Sequence, residues 1–540
     1  MTPTICSRNP TALLFPGLIL SFLLLSTRHN AAASENGSVH AGASRSLASC
    51  LVASGVRNFS LAGSPGYASL LGFSVQNLRF ALPGVRKPAA VVLPASRRDL
   101  RRAAIRVRSG GHSYEGQSYT VAGAALGGGD APFVVIDLMN LNRVRADDAS
   151  ATAWAESGAT LGEVYHAVAR SASPNGSSSS SLAFSAGSCS TVGVGGHVSG
   201  GGFGLLSRKF MLAADNVLDA LLVDAGPGPG AMGEDVFWAI RGGGGGSWGV
   251  VYAWKLRLVP VPDTGTVFTP RREGSVDAVA GLVHRWQFVG PALPDEFYLT
   301  VFLTISGASQ EDTNVTVSFT GLVLGPRELA MSVLSERFPE LGLAERELSE
   351  MSWVESAAQF AGLSSPEELT SRVSQTKHYG KNKSDYVRQP VARDALAAIL
   401  RYLSAGPAGY VILDPYGGAM ARAGATDTPS PHRAGVQYGV TWEAGEDGEA
   451  RMAWLRALYA YMAPHARPCA RRRVNYIDLD LGTAAANGSA TTAVGRAWAT
   501  WGASYFSTDN FDRLARAKTR IDPANVFNNA QSIPPLQRSG

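Results

Sequence analysis

The sequence predicts an α+β chain of two domains, on three observations. Strand-like apolar runs alternate with stretches of helical spacing along most of the chain. The cluster Pro260, Pro262, Asp263 and Gly265 marks a break between an earlier and a later set of such elements, and no internal repeat connects them. Of the 60 glycines, twelve cluster in two runs, Gly193–Gly204 and Gly242–Gly246. Clustered glycine of this kind signals backbone packed close to another group rather than a flexible linker. With 540 residues, 45% of them hydrophobic, the chain can bury cores of ordinary size in both domains.

The elements follow in order. Ser46–Val56 reads as a short helix opening the mature fold. Ala89–Pro94, Ile105–Val107 and Phe133–Leu138 read as compact, buried strands. Leu161–Ala169 has the spacing of an amphipathic helix and runs into a low-complexity loop at Ser171–Ser181. Val217–Val223 is a strand, Asp235–Arg241 a helix stopped by the glycine run, and Trp248–Leu258 an alternating strand. Past the break, Phe297–Thr304 and Thr313–Val323 alternate as strands, whereas Val391–Ser404 and Ala450–Met462 are helical. Arg473–Leu479 reads as extended. Phe511–Asp522 is a charged helix, followed by Pro523 and a tail that can return to the first domain.

Charge excludes little. A net charge of +5 over 540 residues is mild, and the basic clusters Arg97–Arg108 and Arg467–Arg473 lack the aromatic interleaving of a single-strand nucleic-acid binder. They read as solvated faces, and nucleic acid is not an expected partner. At the N-terminus Arg8, an apolar stretch from Leu13 to Leu25 and Ala31–Ala33 compose a secretory signal over residues 1–33. The stretch is too short and too broken for a membrane span. Secretion to an extracellular, apoplastic or cell-wall location gives meaning to the glycosylation sequons at Asn36, Asn58, Asn175, Asn314, Asn382 and Asn487. Of the cysteines Cys6, Cys50, Cys189 and Cys469, the first leaves with the signal. An odd number remains, so one is intermolecular, unpaired or modified.

Three segments concentrate the chemistry. Arg108-Ser109-Gly110-Gly111-His112-Ser113-Tyr114 follows a strand, and its glycine pair starts a turn whose consecutive N–H groups suit an anion. In Gly187–Gly204, Cys189, Thr191, Val192, His197 and Phe203 are threaded through Gly193, Gly195, Gly196, Gly200, Gly201, Gly202 and Gly204. Zinc would need a second cysteine nearby, so no metal is expected. A Cys–His nucleophile stays open, but the glycine density suits a large flat ligand, and the dinucleotide fingerprint of a Rossmann fold is absent. The third segment, Met232–Gly249, is a helix running into glycines flanked by aromatic residues.

Together these segments resemble the berberine bridge enzyme-like family of plant FAD-linked oxidases, over about Cys50 to Pro535. Gln76–Arg79, Leu212–Asn216, His432–Gly435, Asn475–Gly482 and Gln531–Pro535 carry further likeness. The resemblance implies a vanillyl-alcohol-oxidase, PCMH-type FAD-binding fold with an antiparallel-sheet substrate domain. It implies an FAD-binding domain over 45–262, a substrate domain over 263–475 and a C-terminal segment, 476–540, that returns to the FAD domain. His112 matches the histidine bonded to the flavin 8α carbon and Cys189 the cysteine bonded to C6, giving a bicovalent FAD and a use for the odd cysteine. His197 matches a histidine at the flavin pyrimidine edge. Val192 matches the position that gates oxygen, and a small residue there is the oxidase-like choice. Tyr114 and Phe203 match the substrate side. Tyr476 matches a tyrosine proposed as the base for alcohol oxidation, its ordinary pKa of about 10 needing a nearby cation to bring it down. Gln437 stands where alkaloid-cyclising members carry a glutamate base; an amide cannot take a proton.

The resemblance thus implies a monomeric enzyme that oxidises an alcohol or a sugar anomeric C–H, such as an oligosaccharide or monolignol, passing hydride to flavin N5 and electrons to O2 with release of H2O2. Against the family pattern the chain lacks about ten residues between Leu100 and Ile105, where the usual partner of Cys50 would lie, and Asp224–Met232 is short. About four residues are missing around His432–Tyr438, from a strand that would carry a lysine near the base. These losses leave open a catalytically impaired binding protein of the same fold; a dehydrogenase indifferent to oxygen is a third reading.

Overall fold

The computed structural model describes residues 47–53, 55–95, 105–121, 133–171, 181–225, 231–304, 314–374, 377–387, 389–407, 409–430, 435–466, 472–483 and 492–536. The signal segment, Cys6, Cys469, the short stretch before Ile105, most of Asp224–Met232, and the sequons at Asn36, Asn175 and Asn487 lie outside these residues.

Short strands build the first sheet in the order Phe59–Leu61, Ala90–Val92, Val134–Asp137, Ile105–Arg108. The last three run parallel, and Val134–Asp137 is buried at every residue, as a central parallel strand covered on both faces must be. A second sheet is antiparallel, ordered Val144–Asp147, Thr152–Glu156, Val250–Arg257, Val217–Val223. The helix Leu161–Ser171 turns Leu161, Val164, Tyr165 and Val168 into the core behind it. The largest sheet has eight strands. Its central run is Asn314–Val323, Phe297–Thr304, Gly409–Asp414, Gly435–Trp442 and Tyr379–Tyr386, every neighbouring pair antiparallel. Helices Val276–Val289 and Arg393–Ser404 bury Val283, Trp286, Leu396 and Leu400 in its core.

The chain end closes back on the first sheet. Phe527 bridges Ile105, Arg106 donates to the Asn528 carbonyl, and the buried Lys518 ammonium bonds Asp522 and the carbonyls of Ser247 and Phe527. Among the described residues no helix is long and apolar enough to cross a membrane.

One expected strand needs correction, and one sequon is ruled out. Arg473–Leu479 is not extended but forms two 3₁₀ turns, Val474–Tyr476 and Leu479–Leu481. Local bonds explain this: Tyr476 N–H donates to the Arg473 carbonyl, and the Asp478 carboxylate accepts from Asp480 N–H. Asn382 is not a usable sequon. It sits in mid-strand opposite Gly439, is 5% exposed, and accepts a hydrogen bond from the Tyr410 hydroxyl at 2.6 Å. Asn58, in contrast, is exposed outside any strand. Glycopeptide mapping of protein made in a glycosylating host is expected to find Asn382 unmodified; a glycan there would contradict its buried, mid-strand placement.

Candidate active site

The turn leaving strand Ile105–Arg108 is shaped by its glycines. Gly111 has φ +72°, and a Cβ there would lie 1.8 Å from the Ser74 carbonyl oxygen, so only glycine fits. Gly110 meets the second glycine-rich segment face to face: a Cβ on it would lie 2.3 Å from Gly193 N, and one on Gly193 would lie 2.0 Å from Ser109 Oγ. Ser109 Oγ donates to the Ser157 carbonyl at 2.6 Å, fixing the turn to the second sheet.

This contact brings the two expected tethers together. His112 Nε2 lies 3.0 Å from Thr191 Oγ1, and Cys189 Sγ lies 3.8 Å from the same hydroxyl. Cys189 is buried, 7% exposed, and Cys50 is exposed and forms no disulfide among the described residues. Burial pulls His112 down to about 4, so near neutral pH its imidazole is uncharged and keeps the lone pair that bonding to carbon requires. Val192 is buried behind the pair, its carbonyl accepting from Leu161 N–H.

A cavity opens beside this junction. Ser109–Ser113 form one wall; Gly193, Gly195, Gly196 and Gly200 a second; Gly245, Gly246, Asn475 and Asn529 a third. Not every glycine serves the cavity. Gly201, Gly202 and Gly204 face protein, where a Cβ would meet Ser430 Oγ at 2.9 Å, Ala213 Cβ at 2.7 Å and the Ala186 carbonyl at 1.7 Å. Gly196, with nothing within 4 Å of its absent Cβ, presents open backbone. On the cavity wall both amide atoms of Gln117 and the hydroxyls of Ser118 and Ser157 are buried without a hydrogen-bond partner. Unpaired buried polar atoms are costly, and a large polar ligand such as the adenine dinucleotide of FAD would satisfy them. His197, next to the lining residue Gly196 but itself off the cavity wall, carries another such atom. Gly187 N–H donates to its Nε2 at 3.1 Å, which leaves the proton on Nδ1, and Nδ1 is buried without a partner. Burial holds this imidazole well below its usual pKa, so it is a neutral donor.

The expected substrate-side residues form a second group. The rings of Tyr114 and Tyr476 stack at 5.4 Å with 14° between planes. Gln437, in the strand Gly435–Trp442, donates through Nε2 to Tyr114 Oη at 2.5 Å. That strand pairs along its length with both neighbours, Tyr379–Tyr386 and Gly409–Asp414, so the residues that remain hold the sheet together. Phe203 stacks on Tyr416 at 4.5 Å.

Below the tyrosine stack is a buried ion cluster that was not legible in the sequence. Lys381 contacts Glu115 and Asp478, and Lys383 contacts Asp478 and Asp480; Arg79 pairs with Glu115 at 3.0 Å. Glu115 adjoins Tyr114 and Asp478 lies two residues beyond Tyr476, so the cluster fixes both ends of the stack. Burial would raise Asp478, but the two ammonium groups hold its carboxyl below the usual range.

The basic clusters are not solvated faces where the structure describes them. Arg472 and Arg473 are 5% and 7% exposed. Arg472 is bound to the Tyr459 hydroxyl; Arg473 donates to Tyr476 Oη at 3.2 Å and lies over the Phe203, Tyr416 and Tyr476 rings. Arg108 has no exposed surface and is committed to Asp137, 2.7 Å away, and to the carbonyls of Leu70 and Leu71. It supports the turn from below and is not on the cavity wall. Asp137→Ala, which strands that guanidinium, is expected to cost about 3–5 kcal/mol of stability; an unchanged thermal midpoint would contradict the pairing. The signal that sequence reasoning passed over is the spacing of Arg473 three residues before Tyr476, one helical turn.

Comparisons with known proteins agree with this geometry. The family model described as "Berberine and berberine like" matches residues 474–534, and that of the FAD binding domain matches 88–228. Berberine bridge enzyme-like D-1 of Nicotiana tabacum is 45% identical, covering 92% of this chain and 93% of its own. Reticuline oxidase of Papaver somniferum is 43% identical, over 91% and 92% respectively. The structure of berberine bridge enzyme from Eschscholzia californica superposes with a TM-score of 0.83 at 42% identity, covering 92% of this chain and 100% of that one. The chain therefore belongs to the berberine bridge enzyme-like family of FAD-dependent oxidoreductases.

Proposed function

We propose that this protein is a secreted oxidase carrying FAD on two covalent tethers, His112 and Cys189, and acting on an alcohol or a sugar anomeric C–H. The observation that carries the reading is the convergence of both side chains on the Thr191 hydroxyl, on the same molecule as the stacked tyrosines. FAD, when bound, supplies the two-electron acceptor and, through reoxidation by O2, the route to H2O2.

The chain's own residues do the rest. The Ser109–Ser113 turn and Gly193–Gly196 cradle the dinucleotide with backbone N–H groups. His197 Nδ1–H is a neutral donor for charge that develops at the pyrimidine edge. Tyr476 Oη takes the proton of the substrate hydroxyl. Tyr114, held by Gln437 Nε2, stacks beside Tyr476 and narrows its freedom. Gln437 cannot serve as the base of a cyclisation, which sets the chain apart from the use its relatives' name "reticuline oxidase" describes.

The test is peroxide release from the purified secreted protein, offered cello-oligosaccharides, monolignols and (S)-reticuline. Release with a member of the first two classes, and none with reticuline, is expected. Silence with every substrate while flavin is bound would favour a binding protein of the same fold. Reduction of the flavin that quinone reverses and oxygen does not would favour the dehydrogenase reading and count against Val192 as an open oxygen gate.

A further inference from the structure

We propose that Arg473 is the cation that sets the proton affinity of Tyr476, with Asp414 as the opposing charge that limits its effect. The inference rests on the reading of Tyr476 as the base. The sequence left that base without a cation, because the residues missing before Val436 remove the place where the family pattern puts a lysine.

The guanidinium of Arg473 donates through Nη1 to Tyr476 Oη at 3.2 Å. Its central carbon lies 4.5 Å from the Phe203 ring centre, 4.8 Å from that of Tyr416 and 5.3 Å from that of Tyr476. Three aromatic faces compensate a buried cation only in part. No carboxylate lies within ion-pair distance of it among the described residues. A guanidinium so placed gains most when the phenol oxygen beside it carries negative charge. An opposite charge at this range lowers the pKa of an acid by about 1–3 units, and the low dielectric of the site strengthens the effect.

The groups facing the pair come from every surrounding element. Asp414 ends one strand of the large sheet and Tyr416 lies just past it, Tyr298 and Tyr386 sit on two others, His197 lies on the glycine-rich helix, and Tyr114 stacks from the first domain. Of these, Asp414 is the carboxylate. It is 4% exposed, is bonded by Thr300 Oγ1 at 3.3 Å, and is pushed up to about 6 by burial against the pull of Arg473. Burial would likewise lower Arg473, but attraction to Tyr476 first, then to Tyr386 and Asp414, outweighs it. The chemistry is a proton transfer only: the Tyr476 hydroxyl releases its proton to solvent before substrate binds, and the phenolate oxygen then accepts the proton of the substrate hydroxyl.

The experiment is a near-ultraviolet tyrosinate titration of the flavin-loaded protein, taken as a difference against Tyr476→Phe, with the pH profile of kcat/KM beside it. One tyrosine, absent in Tyr476→Phe, is expected to ionise below the free-phenol value of about 10. Arg473→Met is expected to raise that midpoint by about 1–3 units, Arg473→Lys by less because the charge is kept, and Asp414→Asn to lower it. The kcat/KM profile moves in step. A midpoint unchanged in Arg473→Met, a Lys variant shifted as far as Met, or an Asp414→Asn midpoint that rises would each overturn the proposal. If Arg473→Met does not fold, the Lys and Asn variants decide by their opposite signs. Full activity in Tyr476→Phe would instead overturn the base reading itself, whichever way the Arg473 variants behave.

Discussion

Tyr476→Phe is expected to lower kcat/KM for an alcohol substrate by about 10²–10⁴-fold, the range of a lost general base, while the flavin stays bound. The phenylalanine ring keeps the stack on Tyr114 at the 5.4 Å spacing and removes only the oxygen that Arg473 contacts. Steady-state kinetics on the wild-type and variant proteins measure the loss, and the flavin spectrum confirms that the cofactor site is intact. A rise in KM with kcat preserved would mean that the hydroxyl only contributes uniform binding of the substrate. The buried ion cluster makes this substitution clean, because Asp478 and Glu115 hold the flanking backbone without help from the hydroxyl.

The second large effect concerns the tethers. His112→Ala and Cys189→Ala are each expected to leave flavin attached to the polypeptide through the other side chain after acid precipitation. The double variant is expected to release all of it. The argument is geometric. Both side chains reach the Thr191 hydroxyl, and that approach depends on glycine at 110 and 193, where any Cβ would collide with the other segment. A single variant that loses all its flavin to the supernatant would show that only one residue is a tether. In the double variant the unpaired polar atoms of Gln117, Ser118 and Ser157 remain, so flavin should still bind in the native protein.

Local pattern made some elements readable and left others hidden. Val217–Val223 and Phe297–Thr304 coincide with the expected strands because an apolar, β-branched-rich run has few alternatives. The strand Tyr379–Tyr386 gives no such signal. Its sequence, YGKNKSDY, is almost wholly polar, yet seven of its eight residues are buried. What buries it is long-range: Lys381 and Lys383 meet carboxylates about a hundred residues later in the chain, and no local window contains them. The same reason hid Arg473. A run of arginines ordinarily marks a solvated face, and only the folded chain supplies the rings that surround this one. The two candidate tethers were named through a collinear resemblance, but their approach to Thr191 was not, because 79 residues separate His112 from Thr191. Of the glycines expected to hold the cofactor, Gly201, Gly202 and Gly204 serve close contacts between chain segments instead.

One measurement bears most directly on the proposed oxidase. The purified wild-type protein is precipitated with acid, and flavin absorbance is read in pellet and supernatant. All of the flavin is expected in the pellet with the polypeptide, as two covalent bonds require. Flavin free in the supernatant would contradict the tethering by His112 and Cys189.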